Sequence, residues 1–128
     1  MSRKIIITAA VFGLLGVIAG AFGAHGLDPL LTLKQKEVWR TAVQYQFYHV
    51  FALLFLSFFN GDEKLIKTSN YLFTFGIICF SGSLYLLACA DVLGISNLMK
   101  VIGPVTPLGG LLFIAGWVTL ALAALRKK

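Results

Sequence analysis

Polar side chains interrupt the apolar stretches of this sequence, and their types could bind a ligand. Polar groups inside hydrocarbon are costly, usually face the protein interior, and mark functional sites by default. Histidine, glutamine, tyrosine and hydroxyl side chains would supply hydrogen bonds of both senses to such a ligand. The candidate ligand-binding residues are His25, Tyr45, Gln46, His49, Ser81, Tyr85 and Thr106.

Metal binding and catalysis are poorly supported by these residue types. A zinc site needs three or four His, Cys or carboxylate ligands, whereas the two histidines differ in predicted depth by ~10–15 Å. Cys79 and Cys89 lie ~15 Å apart on one predicted helix, too far for a disulfide. No Asp or Glu lies inside an apolar stretch to act as an acid or base. We therefore predict no catalytic residue, no metal and no cofactor.

Depth below the outer surface predicts which candidates meet. Counting from the outer helix ends places Gln46 at ~10 Å and Tyr85 at ~9 Å, with His49 and Ser81 both at ~15 Å. Gln46 should therefore reach Tyr85, and His49 should be neutral and bond Ser81 first or Tyr45 second. Two interpretations stay open, a hydrogen-bond network that fixes helix register and a polar-lined binding pocket.

Four uncharged stretches must position these side chains. The sequence is 59% hydrophobic and 12% charged, whereas soluble domains carry about 25% charged residues. The stretches are 20, 19, 20 and 21 residues long, and a membrane helix needs about 20. We predict an all-α integral membrane protein, a four-transmembrane-helix bundle forming a single domain over residues 1–128. The predicted spans are 5–24, 41–59, 71–90 and 105–125.

Basic residues predict the orientation of these spans. Seven lysines and arginines flank one set of helix ends, Lys127 and Lys128 among them, and four flank the other. Because positive residues concentrate on the cytoplasmic side, both termini are predicted to be cytoplasmic. The formal net charge of +6 sits at helix ends rather than on a helix face, so nucleic acid is not a predicted partner.

Local signals predict how the outer connections fold. Asp28-Pro29 is typical of a helix start, and Thr32 with Gln35 can form a capping box. These signals predict a second helix over residues 33–59. The connection 91–104 contains Gly94 and is predicted to fold against the outer surface without forming a helix.

Small residues line one face of three of the predicted helices. In lipid, such faces let two backbones approach closely, whereas each glycine costs a water-soluble helix ~1 kcal/mol relative to alanine. These positions are therefore predicted helix-packing residues. They are Gly13, Gly16, Gly20 and Gly23 on the first helix, Gly76 and Ser83 on the third, and Gly109 and Gly116 on the fourth.

Four sequence blocks resemble a known family over essentially the whole chain. They are GAFGAH at 20–25, Trp39 followed by Tyr45-Gln46 and His49, FSGSLY at 80–85, and TPLGG at 106–110 with Phe113 and Gly116-Trp117. The pattern resembles the YgdD/YwdK-like family of small inner membrane proteins (domain of unknown function 423, uncharacterised protein family 0382), which has transmembrane-protein-256-like relatives in eukaryotes. The resemblance implies four spans in a bacterial inner membrane and supplies no activity and no catalytic residues.

The sequence as a whole favours binding over catalysis. We predict a multi-pass inner membrane protein that holds a small ligand, a lipid or a partner helix in an outer-half polar pocket. The alternative is a small oligomeric transporter, which would usually need a membrane carboxylate that this chain lacks. A membrane-embedded enzyme is the least favoured class. The predicted partners are the lipid bilayer and either a second copy or another membrane protein.

Overall fold

A computed structural model describes residues 1–126, so Lys127 and Lys128 of the charge count lie outside the described residues. The described part of the chain is all helical, with no strand, as the sequence predicts. Its elements are α1 (Arg3–Ala24), α2 (Leu33–Phe58), α3 (Glu63–Ala88), α4 (Ala90–Leu93), a 3-10 helix (Ser96–Leu98), α5 (Met99–Ile102) and α6 (Val105–Leu125).

Three helical segments are long and apolar enough to cross a membrane, namely α1, α3 and the segment that ends with α6. Helix α2 has the same length as α3, 26 residues or ~39 Å, but Gln44, Gln46 and His49 make it less apolar. The outward faces carry large apolar side chains such as Leu14, which is 62% exposed. Exposed apolar surface of this extent suits a lipid environment.

The long helices pack in the order α1, α2, α3, α6. Helix α2 contacts both α1 and α3, and α3 also contacts α6. One buried apolar cluster crosses all four helices and includes Ala9, Leu53, Phe73 and Phe113. Side chains of α6 also reach α2, since Phe113 stacks on His49. The buried polar side chains of α2 and α3, such as Gln46 and Ser81, therefore lie between helices rather than towards lipid.

The start of α2 follows one of the two predicted signals. The Gln35 amide donates to Thr32 Oγ1 at 3.2 Å and the Thr32 amide donates to Gln35 Oε1 at 2.9 Å, so the capping box is confirmed. The predicted start of the second helix at residue 33 is confirmed, since α2 begins at Leu33, whereas Asp28-Pro29 starts no helix. The Asp28 carboxylate instead lies 2.8 Å from Lys36 Nζ, and the turns before α2 pack against Trp39 through the buried side chains of Leu27 and Leu31.

The connection between α3 and α6 also differs from its prediction. Residues 90–102 form the short helices α4 and α5 and the 3-10 helix between them. Gly94 ends α4 at a φ of 69°, a conformation that favours glycine. Asp91 accepts hydrogen bonds from Gln35 Nε2 at 2.8 Å and Ser96 Oγ at 2.7 Å. The bond from Gln35 comes from a residue 56 positions away, and it stabilises short helices that local sequence signals do not indicate.

Candidate functional site: the outer-half polar cluster and its groove

Gln46 of α2 links this helix to both α1 and α3. The Tyr85 hydroxyl donates to Gln46 Oε1 at 2.6 Å, and Gln46 Nε2 donates to the Phe12 carbonyl at 2.7 Å. Gln46 is 3% exposed, so both the oxygen and the nitrogen of its side-chain amide need a hydrogen-bond partner within the protein. The structure thus places together the pair that the depth count matched, and adds α1 to it.

His49 uses both of its ring nitrogens. Its Nδ1 lies 2.7 Å from the Tyr45 carbonyl, and Trp117 Nε1 lies 3.1 Å from its Nε2. A carbonyl only accepts and an indole N–H only donates, so these partners assign a neutral ring with its proton on Nδ1. The ring also stacks on Phe113 with centroids 3.5 Å apart. No ring nitrogen is left for a ligand.

The predicted bond between His49 and Ser81 is wrong. Ser81 Oγ donates instead to the Ala42 carbonyl at 2.7 Å, and both residues are buried. Because the Ala42 carbonyl of the adjacent helix accepts the hydroxyl proton of Ser81, this hydroxyl does not need His49 as a partner. Ser81 therefore ties α3 to α2.

Thr106 and His25 lie away from this cluster, whereas Tyr45 contributes its carbonyl to it. Thr106 Oγ1 is 2.5 Å from Ser83 Oγ, which itself donates to the Phe80 carbonyl at 2.9 Å. Since that hydroxyl has one proton, Thr106 is the donor, and the bond joins α6 to α3. His25 is exposed beyond the end of α1, and the Tyr45 side chain is 39% exposed.

Two tryptophans complete the network, although neither was a candidate. Trp117 is the partner of His49, and Trp39 Nε1 donates to the Ala19 carbonyl at 2.8 Å. A depth signal for the first exists, because counting from Val105 places Trp117 at ~18 Å, close to His49. Trp39 also lies against Tyr85, with ring centroids 4.6 Å apart.

The small-residue faces lie at helix interfaces. A side chain at each glycine on α1 would first meet α2, through Val50 at Gly13, Phe47 at Gly16, Val43 at Gly20 and Trp39 at Gly23. At the α3–α6 interface, Gly76 lies beneath Phe113, Gly116 beneath Phe73, and Gly109 against the backbone of Phe80. Ser69 Oγ adds a bond to the Gly116 carbonyl at 2.9 Å.

A groove of about 370 Å³ opens beside the Gln46–Tyr85 pair. Its walls come from α1 and α3, and Gln46 of α2 forms part of its floor. Gly82 leaves it wide, since no heavy atom would lie within 4 Å of a Cβ at that position. Apart from Gln46 and Tyr85 the lining is apolar: Phe12, Leu15, Ile77, Ile78 and Gly82.

The chemistry available here is recognition of an apolar group. Gln46 and Tyr85 are engaged with each other, and the rest of the groove offers only dispersion contacts. Within residues 1–126, no group of three or more His, Cys, Asp or Glu side chains could hold a metal ion.

Comparison with known proteins gives close relatives along nearly the whole chain. A family profile described as "Protein of unknown function (DUF423)" matches residues 19–110. A UPF0382 membrane protein of Staphylococcus epidermidis is 40% identical over 125 residues, 97% of either chain. The UPF0382 membrane protein YwdK of Bacillus subtilis is 39% identical over 97% of this chain and 98% of its own. A UPF0382 membrane protein of Haemophilus influenzae is 37% identical over 100% of this chain and 98% of its own. No solved structure matches the chain.

Proposed function

We propose that this chain, which belongs to the DUF423 family of membrane proteins, binds an acyl chain of a membrane lipid in the groove between α1 and α3. The polar cluster beneath the groove then has a structural role, since it holds the two walls on a common floor. The observation that carries the proposal is an apolar groove with open space at Gly82, bordered by side chains that are already hydrogen bonded to each other.

The proposal includes four spans with both termini in the cytoplasm, in the cytoplasmic membrane of a bacterium (the inner membrane where there are two). Helix α2 packs along α1 and α3, both of membrane length, so it would share their bilayer. Its polar side chains Gln46 and His49 have hydrogen-bond partners inside the protein, which lowers the free energy of placing them there. The excess of basic residues at one set of helix ends supports the orientation.

An acyl chain suits the groove better than a polar ligand does. A polar ligand at His49 would have to displace Trp117 or the Tyr45 carbonyl from a ring nitrogen. A transporter would need polar groups that face a pathway, whereas these groups face one another. An acyl chain needs neither, because it would contact Leu15, Ile77 and Ile78 through dispersion forces alone.

The test is to fill the groove. Gly82→Phe attaches a ring through a Cβ that no heavy atom would approach within 4 Å, so the protein should fold normally. We expect native mass spectrometry of the detergent-solubilised protein to show that the variant retains one phospholipid fewer per chain than the wild type.

The matched control is Gly110→Phe on α6, where the nearest atom to a Cβ would be Phe80 Cδ2 at 4.0 Å. This variant also adds a ring at an uncrowded glycine, but away from the groove, and should retain the lipid. Equal retention by Gly82→Phe and Gly110→Phe would contradict the proposal, as would a wild-type protein that retains no lipid.

A further inference from the structure

A second cleft, of about 190 Å³, lies at the outer end of the α1–α2 contact. It shares no lining residue with the groove at Gly82. Gly20, Leu31 and Val43 give it an apolar side, and the charged groups of Asp28, Lys36 and Arg40 border it. A site with cations at one end and apolar walls at the other has the character of an amphiphile-binding site.

The charges of this cleft leave one cation free. Lys36 Nζ lies 2.8 Å from the Asp28 carboxylate, so these two charges offset each other. Arg40 follows one turn later on α2 and forms no ion pair within the described residues. The three charged side chains therefore sum to +1, which complements the single negative charge of a phosphodiester.

The cleft also has the right depth for a lipid headgroup. The Trp39 indole, which lines it, donates to the Ala19 carbonyl at 2.8 Å and so holds α1 and α2 together at this level. Tryptophan concentrates where headgroups meet hydrocarbon. Because Gly20 has no side chain, the cleft extends between Gly20 and Val43, from its charged end towards the hydrocarbon.

We infer that this cleft binds the headgroup of an anionic glycerophospholipid, with the phosphodiester on Arg40 and Lys36 and the glycerol end along Gly20 and Val43. The guanidinium presents paired donors that match phosphate oxygens. A headgroup that carries its own ammonium fits less well, because that ammonium would compete with Lys36 for Asp28.

The experiment titrates the solubilised protein with phosphatidylglycerol and phosphatidylcholine of identical acyl chains, and native mass spectrometry measures both affinities. The wild type should prefer phosphatidylglycerol by about tenfold, because the choline ammonium of phosphatidylcholine would add a positive charge beside the unpaired cation of Arg40 and would compete with Lys36 for Asp28. Arg40→Gln should bring the ratio close to one, and Arg40→Lys should recover part of it, since the charge stays but the paired donors are lost.

Two controls separate this site from its alternatives. Lys34 is exposed on the same helix but does not line the cleft, so Lys34→Gln should leave the preference unchanged. Gly82→Phe should also leave it unchanged, which separates this inference from the proposed function. An equal affinity of the wild type for both lipids would overturn the inference. An equal loss in Lys34→Gln would do so too, by showing diffuse surface charge, and full competition by glycerol 3-phosphate would show a free-anion site.

Discussion

The α1–α2 and α3–α6 interfaces both use glycine, but they use it differently. At α1–α2 every glycine of the stripe lies on α1, and α2 supplies the side chains that cover them. At α3–α6 the arrangement is reciprocal, because Phe113 of α6 covers Gly76 while Phe73 of α3 covers Gly116. At the α1–α2 interface one helix supplies the glycines and the other the side chains, whereas at the α3–α6 interface each helix supplies both.

Hydrogen bonding follows the same division. Helix α1 offers only backbone carbonyls to its neighbour, which accept from Gln46 and Trp39. Helices α3 and α6 exchange side-chain groups, as in the pair Ser83 and Thr106. Both the groove and the outer cleft have a wall from α1. Because the glycines of α1 are covered by side chains of α2, space remains along the edges of α1, where a lipid can bind.

The largest effect should separate the two interfaces at single glycines. A Cβ at Gly109 would lie 2.7 Å from Phe80 Cα, so Gly109→Ala forces two backbones apart, whereas at Gly20 the nearest atom is Val43 Cγ1 at 3.8 Å. We expect Gly109→Ala to lower the free energy of unfolding by about 1–3 kcal/mol and Gly20→Ala to change it little. Unfolding in mixed detergent measures both, and equal losses would remove the distinction between the interfaces.

The next effect concerns how α1 is held. Gln46→Leu removes bonds to Phe12 and Tyr85 and should lower the free energy of unfolding by about 1–2 kcal/mol, given the measured range for bonds between membrane helices. Gln44→Leu is the control, since Gln44 is exposed on the same helix. If the two variants unfold alike, α1 does not depend on the amide of Gln46.

A smaller effect should appear between α2 and α6. Trp117→Phe keeps an aromatic ring beside Phe73 but loses the N–H that His49 accepts. A double-mutant cycle with His49→Leu should give a coupling of about 0.6–1.7 kcal/mol. A coupling of zero would mean that the indole donates elsewhere and that the histidine tautomer is not fixed by it.

The smallest effect lies at the outer end of α1, where the ion pair is exposed. The hydrogen bond and the charge of Lys36 hold the pKa of Asp28 below its ordinary value of 3.8. A lowered pKa stabilises the fold above the ordinary value, and this contribution is lost as the pH falls through the lowered one. Thermal unfolding should therefore show a small extra loss below about pH 4 that Asp28→Asn lacks. Identical pH profiles would show that the pair contributes no stability.

Much of this architecture could be predicted from residue patterns, because the bilayer allows few alternatives. Uncharged stretches predicted the long helices, and the depth count matched Gln46 with Tyr85 because both are long polar side chains at one level. Tyr45, the second partner predicted for His49, bonds it through the backbone carbonyl, but Trp117 was missed because only Ser81 and Tyr45 were considered, although Trp117 lies at a similar depth. The groove was not predictable, since the space at Gly82 depends on how far α1 and α3 diverge over α2. The short helices after α3 depend on the distant bond between Asp91 and Gln35.

The central claim is that the polar cluster is structural and that binding occurs beside it. The most direct test is the number of phospholipids retained by folded His49→Leu protein, measured by native mass spectrometry against the wild type. The account predicts a less stable protein that retains its lipid, because His49 bonds only Tyr45 and Trp117 and does not line the groove. A His49→Leu protein of wild-type stability that has lost its lipid would contradict the account and make the polar cluster the binding site.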